Sequence, residues 1–231
     1  MTQIAAPSPT AEPVVLSMRP LVARARYGTE SAEAQFRSLY QDESAPATVT
    51  VLRNAGLDRH LAIRVPGTGM YWIDIVTWSG TLAIRSDWGS WMFSRTEDML
   101  EFFDGRYVNM GYWTEKCVTH HPDDLPVFDE DKFRATVLDK FWSWSRRTEM
   151  SSRDITLAWG VVREELLGDY ASVYTVDQAI NACYEVNRAA GAEVFSEPYD
   201  YDLTDYPNQV KVALHAVLWV AQNRDLLTEE A

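Results

Sequence analysis

The chain has 231 residues, of which 46 % are hydrophobic and 24 % are charged, and its formal net charge is −13 at pH 7. This length allows one large domain or two small ones, and the composition is that of a globular protein without the ~18-residue apolar runs of membrane-spanning helices. The negative charge disfavours direct binding to nucleic acid, which depends on cations that contact the phosphates.

The charge is distributed unevenly, with 10 basic and 13 acidic side chains over residues 1–115 and 11 basic and 21 acidic ones over 116–231. We predict a flexible leader over 1–16, an N-terminal helix plus antiparallel sheet region over 17–115, and an acidic helical region over 116–231. The two regions are expected to pack as one compact unit. The only two cysteines, Cys117 and Cys183, favour buried free thiols in a reducing cytoplasm, although a single disulfide between them is not excluded by the sequence.

The first elements in chain order are a short amphipathic helix and an antiparallel meander. The helix is predicted from its apolar spacing, and the strands from alternating β-branched and aromatic residues separated by turn residues. The predicted helix covers 31–40, and the five predicted strands cover 48–52, 60–65, 71–77, 81–85 and 90–93.

Helical periodicity dominates after residue 93. Ser94 and Glu97 match a capping pattern that would start a helix ending near Gly105. The further predicted helices cover 129–144, 154–167, 176–190 and 207–224. In the last of them, the predicted buried stripe consists of Val210, Leu214, Val217, Leu218 and Ala221. A run of strands followed by a run of about five helices predicts an α+β fold.

The segments Thr77-Trp78-Ser79-Gly80, Asp87-Trp88-Gly89 and Phe93-Ser94-Arg95 resemble a hairpin found in a group of uncharacterised phage- and prophage-borne proteins. Gly111-Tyr112-Trp113-Thr114-Glu115-Lys116 extends this similarity. Ser79 stands where that group usually has proline, and Trp88 where it usually has methionine. The resemblance implies a phage or mobile-element origin, and it carries no catalytic residue.

Two imidazoles and two carboxylates lie close together at His120, His121, Asp123 and Asp124. These are suitable ligands for zinc or another transition metal, and Cys117 precedes them by three positions. Adjacent residues rarely surround one ion without a second segment, and no paired metal motif is present. The sequence therefore favours a solvated loop, no cofactor and no catalytic site, with a metal-dependent hydrolase or nuclease as an alternative.

Asp74 is a further candidate for general acid–base chemistry. Its carboxylate lies between Ile73 and Ile75 in a predicted strand, so it must be paired or exposed. The favoured interpretation is a structural one, in which Asp74 either pairs with Arg64 or Arg85 on a neighbouring strand or faces solvent.

Two groups of residues suggest contact with a partner protein. Trp78 and Trp88 lie at or beside turns, where exposed aromatic residues indicate interfaces. A dense acidic and aromatic segment provides the second group. It is either a contact surface for a basic groove or a solvated loop. Its members are Glu193, Glu197, Tyr199, Asp200, Tyr201, Asp202 and Asp205.

These observations favour a non-enzymatic binding protein over an enzyme. The expected partner is a host or phage protein with a basic surface, and neither nucleic acid nor membrane is an expected partner. Given the implied phage origin, inhibition of a bacterial defence system is the specific form expected. A virion or assembly component is a further alternative, and a homodimer is left open.

Overall fold

The structure, a computed structural model, describes residues 14–17, 30–42, 44–121, 124–168 and 173–227. The chain forms two compact units, Met1–Leu125 with Tyr206–Ala231 (the sheet unit) and Pro126–Asp205 (the inserted unit). This division differs from the predicted boundary at 115/116, because the last helix belongs with the sheet. Most of the predicted leader, residues 1–13, lies outside the described residues.

The sheet unit contains a six-stranded antiparallel sheet in which the strands pair in chain order. The predicted α+β fold with a five-stranded meander is confirmed. A sixth, short strand at the end of the predicted leader pairs with the first strand of that meander. The strands are β1 (Val14–Ser17), β2 (Thr48–Ala55), β3 (Asp58–Arg64), β4 (Ile73–Trp78), β5 (Thr81–Ser86) and β6 (Gly89–Ser94).

One face of this sheet carries the core of the unit. Alternate residues point to the same face of a strand, and the register aligns apolar side chains across the strands. Val49 pairs with Ile63, which pairs with Ile73, and Leu82 pairs with Phe93. All five are fully buried, so a one-residue slip in register would expose this layer.

In its described residues, the sheet unit contains the α-helices α1 (Glu30–Tyr40), α2 (Met99–Phe103), α3 (Met110–Thr114) and, far along the chain, α7 (Asn208–Gln222). In α7, every residue from Val210 to Ala221 is buried. The predicted stripe is therefore buried, but so is the rest of the circumference. An amphipathic pattern cannot show that a helix is covered on all sides.

The predicted helix start at Ser94 is wrong. The Ser94 hydroxyl donates to the Gly80 carbonyl, so this residue ends β6. Asp98 is the actual N-cap of α2: its carboxylate accepts from the Leu100 N–H and also pairs with Arg59 at 2.8 Å. The capping pattern identified the region but not the residue.

The inserted unit contains α4 (Glu130–Ser145), α5 (Ser152–Leu166) and α6 (Val176–Ala190), with a small ladder of β7 (Val127–Phe128) and β8 (Thr204–Asp205). Asp129 caps α4 by accepting from the Lys132 N–H. Gly191 ends α6 in the left-handed conformation at φ +60°, which favours glycine. Among the residues that the structure describes, no helix has the length and apolar character needed to cross a bilayer.

Candidate interaction site

The predicted acidic segment connects α6 to β8 in the inserted unit. Glu193, Glu197, Tyr199 and Asp200 are exposed, and we call these four residues the acidic strip. Apolar side chains between and just after them face inward: Val194, Phe195, Pro198 and Leu203 are buried. The sequence alternates between anchoring and exposed residues, so the carboxylates lie on a segment fixed to the core.

Asn187 on α6 holds this segment in place. Its amide Nδ2 donates to the Phe195 carbonyl at 2.7 Å, and its Oδ1 accepts from the Phe195 N–H at 2.9 Å. The Tyr201 hydroxyl donates to the Ser196 carbonyl at 2.9 Å. These bonds give the backbone beneath the acidic strip fixed partners, so it needs little further ordering on binding.

The strip concentrates negative charge. Within the described ranges, no cationic side chain pairs with Glu193, Glu197 or Asp200. The nearby carboxylates, first Glu197 and then Asp200, raise the pKa of Tyr199, although this tyrosine is exposed. Glu197 also has a backbone φ of +47°, an uncommon conformation for a residue with a side chain.

The other three acidic or aromatic residues predicted here have partners inside the unit. Asp202 pairs with Lys132 at 2.6 Å, and that hydrogen bond holds the pKa of the Asp202 carboxyl below its usual value. Asp205 lies in β8 opposite Val127 and is half-buried. Tyr201 is half-buried beneath the Lys140 ammonium, which lies 4.8 Å from the ring centre. Tyr201 and Asp205 therefore contribute less exposed surface than the acidic strip, whereas Asp202 is exposed but its charge is paired.

The two tryptophans predicted as anchors belong to the sheet unit and differ in exposure. Trp78 is 39 % exposed at the end of β4. Trp88 is half-buried, with its ring edge-on to Tyr71 at 5.8 Å. Tyr71 has a φ of +60°, and the Asp87 carboxylate and the Tyr40 hydroxyl bond its backbone N–H and C=O. Trp88 therefore packs within a fixed turn, and Trp78 is the more accessible ring.

Asp74 forms ion pairs with both of the arginines that the sequence indicated. Its two carboxylate oxygens accept from Arg64 at 2.6 Å and Arg85 at 3.0 Å. The same two guanidinium groups lie over the Trp72 ring, at 5.7 and 5.1 Å from its centre. This cross-strand cluster neutralises the carboxylate and supports a structural role.

The histidine pair does not form a metal cluster within the described ranges, where no three His, Cys, Asp or Glu residues are arranged to hold an ion. His120 is exposed, and its Nδ1 lies 3.0 Å from the Thr119 hydroxyl and 4.0 Å from the Cys117 thiol. His121 and Asp124 are also exposed. Asp123 lies outside the described residues.

No sequence pattern indicated the polar groove that lies in the inserted unit. The end of α4 forms one wall and the segment around Ser196 the other, and the groove has a volume of about 500 Å³. We call it the basic groove, because it contains three cations and one carboxylate. Its lining residues are Asp139, Lys140, Ser143, Arg146, Arg147, Val194, Ser196 and Tyr201. In the sequence, the lining residues at 139–147 have the spacing of an ordinary solvated helix face. The groove forms only because the segment around Ser196, distant in sequence, packs beside them.

A second unpredicted feature is a small cavity of about 20 Å³ beside α1 and α7. His215 is 5 % exposed there, and its Nε2 has no hydrogen-bond partner among the described residues. Burial lowers the pKa of this histidine to about 4. Two smaller effects oppose each other, since the Glu33 carboxylate raises the pKa and the Arg37 guanidinium lowers it. The volume suits one water molecule, so the cavity has no room for a substrate.

Comparisons with protein-family models, curated proteins and solved structures gave no significant match.

Proposed function

We propose that this chain is a phage- or prophage-encoded, non-enzymatic binding protein that docks the acidic strip onto a basic surface of a host protein. The observation that carries the proposal is the exposure of Glu193, Glu197, Tyr199 and Asp200 on a segment with a buried anchor. Carboxylates that lack cationic partners attract a complementary surface and increase the rate of encounter.

Three details support a recognition surface over a solvated loop. The strip backbone is held by both polar atoms of the Asn187 side chain, which lowers the entropy lost on binding. Tyr199 is 60 % exposed and supplies the kind of aromatic ring that is enriched at interfaces. The left-handed backbone at Glu197 is an uncommon conformation of the kind found at functional sites.

The phage origin rests on the hairpin resemblance, and inhibition of a bacterial defence system is the specific form of binding that we propose. A phage gains directly from a small protein that occupies a nucleic-acid-binding surface of a host defence protein. Exposed carboxylates can take the place of phosphates on such a basic surface.

The test replaces three carboxylates of the strip with amides, in the variant Glu193→Gln, Glu197→Gln, Asp200→Asn. The matched control, Asp131→Asn, Glu164→Gln, Glu165→Gln, removes the same charge from exposed positions elsewhere in the inserted unit. Each variant is immobilised, exposed to host lysate, and expressed in host cells challenged with phage that a defence system restricts.

We expect wild type and control to retain the same host protein and to restore phage plating, and the strip variant to lose both. Retention should also weaken steeply with salt, because the contact is between opposite charges. If the strip variant captures the partner as well as the control does, the proposed surface is wrong.

A further inference from the structure

We propose that the basic groove is a binding site for a small molecule carrying a multivalent phosphate group. The groove and the acidic strip share the segment 194–201, but the side chains that would contact the ligand differ from those of the strip. Residues 126–205 contain 8 basic and 16 acidic side chains, so cations are scarce in this part of the chain. Three of the eight nevertheless line one groove.

The cations of the groove are not used by internal ion pairs. Within the described part of the chain, Lys140, Arg146 and Arg147 pair with no carboxylate. Most other cations of the unit do have acidic partners, as Lys132 has in Asp202, Arg134 in Glu130 and Arg188 in Glu185. A surface arranged for solubility alone would give no reason to concentrate the unpaired cations in one concave place.

The groove also has spare hydrogen-bond donors. The Nε atoms of Arg146 and Arg147 donate to the carbonyls of Trp142 at 3.1 Å and Ser143 at 3.0 Å, which fixes the two side chains against the last turn of α4. Their terminal amino groups remain available. The hydroxyl hydrogens of Ser143 and Ser196 have no acceptor among the described residues. This arrangement suits a ligand rich in acceptor oxygens.

The size and chemistry favour a small phosphate compound. A volume of about 500 Å³ falls within the range of small-molecule sites. Two planar guanidinium groups and an ammonium are typical ligands for phosphate oxygens, which accept from arginine in a forked geometry. Asp139, the one carboxylate on the lining, opposes an anion and so gives the site a residue whose removal should strengthen binding.

Inorganic pyrophosphate is the probe, and titration calorimetry of the full chain at low ionic strength is the measurement. The double variant Arg146→Gln, Arg147→Gln should bind at least about tenfold more weakly, because it loses two charge-assisted contacts. The matched control Arg153→Gln, Arg163→Gln removes the same charge from exposed positions on α5 and should stay within about twofold of wild type.

The variant Asp139→Asn gives a result of opposite sign that misfolding cannot produce: affinity should rise about two- to fivefold when the repulsion is removed. The proposal is overturned if wild type shows no heat of binding at millimolar pyrophosphate. It is also overturned if the control pair loses as much affinity as the groove pair, or if a hexaglutamate peptide binds more tightly than pyrophosphate, which would indicate a protein partner instead.

Discussion

The sheet unit and the inserted unit bury their helices to different extents. In the sheet unit, α7 is buried at twelve consecutive positions, whereas α4, α5 and α6 of the inserted unit bury three residues each. A helix covered on all sides has no free surface for recognition. A helix buried along one stripe presents the rest of its circumference to solvent. The wall that α4 contributes to the basic groove is an example of such an exposed helix surface.

The two units also differ in how their cores are connected along the chain. The inserted unit is formed by one continuous stretch, Pro126–Asp205, and the sheet unit is completed only when the chain returns at Tyr206. Helix α7 then packs against α1 and α2, which lie more than one hundred residues earlier. Contacts at such separation form late in folding, because closing a long loop costs entropy before the contacts are made.

The largest expected effect comes from removing one buried ring in each unit. Phe93→Ala in the sheet unit and Phe141→Ala in the inserted unit should each lower the free energy of unfolding by about 3–5 kcal/mol, because each leaves a cavity. Hydrogen exchange, measured by peptide, should show faster exchange chiefly in the unit that carries the change. Equal acceleration in both units would show that they unfold together.

The second prediction concerns acid and the sheet unit alone. The folded-state pKa of His215 is about 4, below its ordinary value, so the unfolded state binds the proton more readily. The contribution of neutral His215 to the free energy of unfolding is present above pH 6.5 and is lost as the pH falls toward 4. At pH 5 the loss is about 2 kcal/mol. Urea unfolding at pH 7.5 and at pH 5 measures this difference in the free energy of unfolding.

His215→Phe should reduce this pH dependence, since Phe36 already packs against the imidazole ring at 5.9 Å. The exposed-site variant His120→Gln is the control and should leave the slope unchanged. If His215→Phe shows the same dependence of unfolding free energy on pH as wild type, a different group causes the acid sensitivity.

The third prediction concerns the attachment of the acidic strip. Asn187→Ala leaves the buried backbone groups of Phe195 without partners, and we expect a loss of about 1–3 kcal/mol in the inserted unit. Asn187→Asp keeps the acceptor for the Phe195 N–H but sets a carboxylate oxygen against the Phe195 carbonyl, so its effect should be at least as large. Hydrogen exchange of residues 193–201 is the direct measurement, and unchanged protection in Asn187→Ala would mean that the segment is held by its apolar anchors alone.

The smallest effect is expected from the strip itself. The variant Glu193→Gln, Glu197→Gln, Asp200→Asn should change the free energy of unfolding by no more than about 0.5 kcal/mol, because its side chains are exposed and make no ion pair in the described structure. Thermal unfolding measures it. A large loss would show that these carboxylates stabilise the fold, and the contrast between a buried sheet unit and an exposed recognition surface would fail.

Local patterns were enough to predict most of the fold. Strands β2 to β6 appear where alternating residues and turns placed them, and α6 covers the predicted 176–190. The small strand β1 escaped detection because four residues carry little periodic signal. The division into two units was not predicted, because it depends on the packing of α7 against elements distant in sequence, which local patterns do not show.

The candidate sites were predictable to a lesser degree. The sequence singled out the acidic segment but not which of its residues are exposed, because the burial of Phe195 and Pro198, which leaves Glu197 and Tyr199 facing outward, is a result of tertiary packing. The basic groove was not visible, because Lys140 on α4 and Arg147 just after it line the same groove as Ser196 only through tertiary structure. Asp202 illustrates the opposite error, since a charge that looked free is paired with Lys132.

The two cysteines have a practical consequence. Cys117 and Cys183 are both free and buried, and burial raises the pKa of Cys183 to about 12, so its reactive thiolate is scarce at neutral pH. A cysteine introduced at Tyr199 would therefore be far more accessible to thiol reagents than either native cysteine. A photo-crosslinker attached there to the purified protein would label whatever touches the strip in host lysate, without removal of either native cysteine.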